Sequence, residues 1–230
     1  MKLTELHHAA IVLGFYRELT ALGDAGQGAF VKAAQVYGES RGRRMAMRAL
    51  RDGNPLDFTS YFAYSEWESS PGAFDCIFES CMGYVDENVT RCPWADFFAE
   101  ENAQDCGTAY CAEIDRAIVR GFNPALVLDV LCTQHTAESC QFYFRGKAVT
   151  PELFEQVDQL LARPHGELVR EFAFHCADLW HACRNITLSV FGEAKGSAII
   201  AGVRDFVVRK TSEEAMKTIE RYDDTDFNRL

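Results

Sequence analysis

At 230 residues, 48% hydrophobic and 25% charged, the chain is long enough for one well-filled core and short for two. Its formal net charge of −11 excludes nucleic acid and anionic membranes as expected partners, since both reward basic surfaces. Nine irregularly spaced cysteines do not make an extracellular disulfide framework. With no signal-like segment after Met1 and no apolar run of membrane-spanning length, a soluble, cytoplasmic protein with reduced thiols is expected.

Residues 4–22 carry helical periodicity and stop at Gly23-Asp24-Ala25-Gly26-Gln27-Gly28. A second helix is predicted from about residue 29 to 51, closed by Asp52-Gly53-Asn54-Pro55. Gly38 and Gly42 stand one turn apart inside it, each costing about 1 kcal/mol relative to Ala. Their presence implies close approach by another backbone or by a ligand, packing being the simpler cause. Residues 60–85, broken by Ser69-Ser70-Pro71-Gly72, read as a β-hairpin whose second strand puts Phe74, Cys76, Phe78 and Met82 on one face. Helices follow over 93–101 and about 105–120, the second closed by Gly121-Phe122-Asn123-Pro124.

A second hairpin is predicted from strands 126–132 and 139–145. Centred on Thr136, it places Cys132 opposite Cys140, Val130 opposite Phe142 and Leu128 opposite Phe144, all on one face. Asp129, Gln141, Tyr143 and Arg145 fall on the other, and the preceding helices should cover the apolar side. Thr150-Pro151-Glu152 is a helix start with Thr as N-cap. Leu168, Phe172, Cys176, Leu179, Cys183, Ile186 and Val190 trace a helical stripe, and a last helix begins near Gly196. The fold class is therefore α+β in a single domain, 1–230. A small antiparallel sheet of about four strands in two hairpins is covered by helices, with flanking N- and C-terminal helical hairpins. The N-terminal hairpin spans 1–55, the central αβ unit 56–147, and the C-terminal helices 148–230.

Six histidines and nine cysteines raise the question of metal. No CxxC, HxxxH or HExxH element exists, so a sequence-local zinc site is absent, although one assembled from distant elements stays open. GxGxxG, GxxxxGK[ST] and GxSxG are also absent, which removes the usual nucleotide-binding and serine-hydrolase loops. Cys111 and Asp115 stand out. Four apart on the predicted 105–120 helix, they would share a face one turn apart, beside the apolar Ile114 and Ile118. A thiol next to a general acid suits attack on an electrophilic carbon, while a lone buried cysteine is otherwise packing.

The run Cys92-Pro93-Trp94, then Thr108 to Asp115, then Gly121-Phe122-Asn123-Pro124, then Ser139-Cys140-Gln141-Phe142-Tyr143-Phe144 resembles the L-2-amino-thiazoline-4-carboxylic acid hydrolase family over about residues 90–146. Its pattern is a Cys-Pro pair, a helix with Cys-x-x-x-Asp, a strand, and a closing Cys-x-Phe-x-Phe. Tyr37 to Met45 and Glu66-Trp67 resemble a subgroup within it. Where members often carry Gly four residues before the closing cysteine, this chain has Thr136, preceded by His135.

The resemblance implies hydrolytic opening of a small sulfur-containing ring with a C=N bond, yielding an N-carbamoyl amino acid. Cys111 or Cys140 would add to the carbon as thiolate, Asp115 protonate nitrogen, and His135 activate thiol or water. No cofactor is required by this scheme. Alternatively Cys92, Cys111, Cys140 and His135 hold zinc or another divalent metal that activates water. Arg41 or Arg44, with Glu66 and Trp67, would bind the substrate, an arginine forking onto its carboxylate. The expected partner is a small molecule, and a homo-oligomer stays open. From another class, the apolar face would hold a ligand in a non-catalytic binding module, its cysteines sensing redox state or metal.

Overall fold

A computed structural model describes residues 1–66, 69–81, 84–146, 150–163 and 168–229; Trp67 and Met82 lie outside them. Helix α1 (Glu5–Thr20) is buried from His7 through Phe15, so it has an apolar girth rather than a stripe. Helix α2 (Asp24–Arg51) starts five residues earlier than its periodicity implied, directly after Gly23 turns the chain at φ 74°. Where a first strand was expected, Phe58–Ala63 forms the short helix α3, because Asp57 caps it by accepting from Ser60 N at 3.0 Å. The aromatics there are spaced for a helix face as well as for a strand.

The first hairpin therefore lies one strand further on, as β1 (Asp75–Cys81) and β2 (Tyr84–Arg91). Helices α4 (Pro93–Glu100), α5 (Gln104–Cys111) and α6 (Ile114–Phe122) follow. The single helix expected over 105–120 is thus two, parted at Ala112 and Glu113. Strands β3 (Leu128–Cys132) and β4 (Cys140–Arg145) complete one antiparallel sheet in the order β1-β2-β4-β3.

The β3–β4 register is as predicted at Leu128↔Phe144 and Val130↔Phe142 but not beyond. Leu131 is an extra residue, 52% exposed, so Cys132 faces Gln141 instead of Cys140. Cys140, Phe142 and Phe144 still point to the covered face, while Asp129 and Arg145 pair on the other. The cover comes from α3 and α6. Phe144 meets Phe58 and Phe62, each at 5.2 Å between ring centroids, and Val119 of α6 packs into the same cluster.

Helix α7 (Pro151–Leu161) begins as predicted, Thr150 Oγ1 accepting from Leu153 N at 3.2 Å. Helix α8 (Phe172–Lys210) leaves helical geometry at Gly192, with φ 73° and ψ 170°, and α9 (Glu213–Glu220) follows. By length and composition α8 could cross a membrane, with a window of mean hydropathy 1.3, contrary to the expectation that no such run exists. Phe172, Cys176, Leu179 and Cys183 nevertheless join the protein core, and α8 packs along α1.

The closest helix packing sets the position of α6. A Cβ on Gly42 would stand 2.0 Å from Ile118 O, one on Gly38 2.6 Å from Ala117 Cβ, and one on Gly121 2.3 Å from Glu39 O. The glycines of α2 are thus explained by packing against the α6 backbone, the simpler of the two causes.

Candidate functional site

Between the covered face of the sheet and the helices lies a cavity of about 400 Å³, within the usual range for small-ligand sites. Its walls are aromatic and aliphatic: Phe62, Phe74, Phe78, Trp94, Phe142 and Phe144 all contribute. Into this apolar space project Arg41 from α2, Glu87 from β2, Tyr110 and Cys111 from α5, and Asp115 from α6, with Cys76, Cys92 and Cys140 around them.

Cys111, Asp115 and Cys140 therefore converge, though not for the helical reason expected. Cys111 ends α5 and Asp115 lies in the first turn of α6, so the chain break between them, and not a common helix face, delivers both to the cavity. Burial pushes the Asp115 carboxyl up to about 6, the charges of Arg41 and Arg116 holding it back. Every thiol there is pushed the other way from reactivity. Burial and the nearby Asp115 raise Cys111 well above a free thiol, and burial takes Cys92 to about 12 and Cys140 to about 11.

His135 stands behind the cavity rather than in it. Its Nε2 is 3.5 Å from Cys111 Sγ, and its ring lies so close over Gly107 that a Cβ there would be 2.3 Å from Cε1. Burial lowers its pKa, leaving a neutral imidazole that reaches the cavity only through Cys111. Among the described residues, no group of three or more His, Cys, Asp or Glu side chains is arranged to hold a metal. The four metal candidates, Cys92, Cys111, Cys140 and His135, therefore do not form a ligand set.

The two arginines named from sequence separate. Arg41 lines the cavity; Arg44 does not. The fully buried Arg44 guanidinium grips Glu66, Nε to Oε1 at 2.7 Å and Nη2 to Oε2 at 2.8 Å. Its Nη1 donates to Ser40 Oγ at 2.8 Å and Phe227 O at 2.7 Å, and pairs with Asp178 at 2.8 Å. Glu66 also takes Arg48 at 2.7 Å and stands 3.9 Å from Arg41 Nε, so it backs Arg41 instead of lining the cavity. These arginines hold the Glu66 carboxyl down at about 2 despite burial.

Two contributors were not read from the sequence. His8, fully buried with its pKa depressed by burial, accepts at Nδ1 from Trp94 Nε1 (3.1 Å) and so donates from Nε2 to Tyr37 Oη (3.0 Å). That chain fixes Trp94 in the cavity wall. The other is Glu87, whose register opposite Phe78 and Phe142 aims a carboxyl at the cavity. Its signal was a charge between Val85 and Val89 in a strand, hidden because the strand was read as ending at 85.

No curated protein and no solved structure matches the chain. The family model described as L-2-amino-thiazoline-4-carboxylic acid hydrolase matches residues 4–144, from α1 through β4 and every strand of the sheet, and the chain belongs to that family.

Proposed function

We propose that the protein is a hydrolase that opens a small cyclic C=N substrate bearing a carboxylate, such as 2-aminothiazoline-4-carboxylate, to an N-carbamoyl amino acid. The observation that carries this reading is the polar pair in an apolar cavity: the Arg41 guanidinium and, under its charge, the Asp115 carboxyl. Arg41 offers a fork to a carboxylate, and Glu66 behind it keeps that fork aimed. Asp115, titrating near 6, can take or give a proton at the reacting carbon close to neutral pH.

Water is the better nucleophile here. Forming a thiolate at Cys111 or Cys140 beside a carboxyl in an apolar wall opposes the raised pKa of each thiol. His135, neutral and behind Cys111, positions that thiol and does not meet the substrate.

The test is turnover of 2-aminothiazoline-4-carboxylate and a panel of cyclic amidines and thiohydantoins, followed by detection of free thiol and carbamoyl product. Asp115→Asn should lower kcat by about 10²–10⁴, the usual weight of an acid–base group. Cys140→Ser should keep kcat within about tenfold, a change of 1.4 kcal/mol in barrier. Unchanged turnover in Asp115→Asn would remove the proton-transfer role. Abolished turnover in Cys140→Ser would bring back the thiolate route.

A further inference from the structure

Glu87 occupies an unfavourable place for a carboxyl. It projects from the middle of an apolar sheet face, between Val85 and Val89 along β2 and opposite Phe78 and Phe142 across the strands. Among the described residues no cation is among the charges acting on it, and its hydrogen-bond partner is the Cys76 thiol at the cavity's exposed rim. Packing alone would favour a hydrocarbon at this position. Asp115 faces the same space from the helical side, with Arg41 and Arg116 acting on it.

We propose that Glu87 is a second catalytic residue, the general acid of this cavity, working from the sheet while Asp115 acts as base from the helices. The proposal rests on the hydrolase reading above and adds the division of labour between the two walls. The groups that act on Glu87 are Cys76 from β1 and Asp115 from α6; Tyr61 from α3 and Cys140 from β4 feel its charge in turn. The thiols and the phenol stay neutral at pH 7, burial having raised all three. Among the described residues Asp115 is therefore the charge that acts on Glu87. Two carboxyls in one apolar cavity hold a proton between them, and it sits on the one lacking a cation. Burial and the Asp115 charge take Glu87 to about 7, above Asp115 at about 6, the same order.

The cycle closes on these two groups. Water adds its oxygen to the C=N carbon, giving one proton to Asp115, while the Glu87 proton goes to the ring nitrogen. The tetrahedral adduct then collapses. Its hydroxyl proton passes to Glu87, the carbonyl forms, the carbon–sulfur bond breaks, and Asp115 delivers its proton to the departing sulfur. Oxygen on carbon, one hydrogen on nitrogen and one on sulfur account for the water, and both carboxyls return to their starting states.

The experiment compares wild type, Glu87→Gln and Asp115→Asn. Infrared difference spectra from pH 5 to 8 should show a carboxylic acid titrating near 7 that is lost in Glu87→Gln and kept in Asp115→Asn, where it titrates lower without the Asp115 charge. With 2-aminothiazoline-4-carboxylate, kcat should fall about 10²–10⁴-fold in Glu87→Gln. Binding read by tryptophan fluorescence, Trp94 lining the cavity, should change only a few-fold, and the alkaline limb of the kcat/KM profile should vanish. Loss of the acid band in Asp115→Asn instead would overturn the assignment. Full turnover in Glu87→Gln would overturn the role of Glu87 and leave the hydrolase reading standing. A wild-type protein that shows the band yet opens no ring would overturn the hydrolase reading, and the catalytic role with it.

Discussion

Asp115 carries two properties that belong together: an apolar setting that disfavours its charge and an arginine that partly restores it. The same setting has a consequence for stability. Because its folded-state pKa lies above the unfolded one, the native state binds more protons than the unfolded chain between about pH 4 and 6. Stability should therefore fall as pH rises through that window and level off above it; Glu87 extends the same fall to about 7. Asparagine cannot ionise, so Asp115→Asn should melt with wild type at pH 4 and above it at pH 8. The gap should be on the order of 1–3 kcal/mol. Thermal melts across pH decide this, and a variant less stable than wild type at pH 8 would mean the carboxylate makes a structural pair. A residue more costly to the fold than its amide is what a proton carrier should look like at this scale.

At the scale of elements, the cavity depends on how close α6 comes to α2. Gly42 lets the Ile118 carbonyl approach to where a methyl would stand 2.0 Å away, with Phe122 N at 2.5 Å, and backbone cannot swing aside as a side chain can. Gly42→Ala should push α6 off α2, at about 1–3 kcal/mol or more for overpacking. At 2–4 °C per kcal/mol that is roughly 2–12 °C in Tm. Since Asp115 rides on α6 and Arg41 on α2, kcat should fall as well; a variant with unchanged Tm and turnover would deny this packing. The glycine pair was legible in sequence because it broke helix propensity twice in one turn. The β4 face was legible too, since the two-residue period sorted Cys140, Phe142 and Phe144 from Gln141 and Tyr143. What escaped was irregularity without a marker. Leu131 bulges with no Gly or Pro beside it, and Ala112-Glu113 parts two helices in residues that all favour helix. Glu87 escaped because the predicted strand ends at 85, two residues short of it; as a charge on an apolar face it also violates the pattern that locates faces, and such violations are expected at functional sites.

Across the whole molecule, one buried ion cluster ties distant segments to the cavity. Glu66, fully buried, is met by Arg44 and Arg48 of α2, and Arg44 reaches on to Asp178 of α8 and to the carbonyl of Phe227 near the C-terminus. Phe227 itself packs tilted against Phe174, 5.2 Å between ring centroids, so the tail is clamped from two sides. Such a cluster is not stabilising by its charges alone, since burying ions is costly, but removing one member strands the others. Glu66→Gln should therefore cost about 3–5 kcal/mol at neutral pH, or roughly 6–20 °C in Tm. The pH dependence has a definite sign. Arginines depress the folded pKa of Glu66 to about 2, below its unfolded value, so its contribution is complete above about pH 4.5 and lost as pH falls toward 2. The gap between variant and wild type should close over that same interval. It should also be felt in the cavity, because Arg41 stands 3.9 Å from the Glu66 carboxylate and would lose the charge that backs it. A rise in KM for a carboxylate-bearing ring, with no such rise for the same ring lacking the carboxylate, would mark Arg41 as the substrate's counter-ion. Equal KM changes for both rings would instead confine Glu66 to holding the fold.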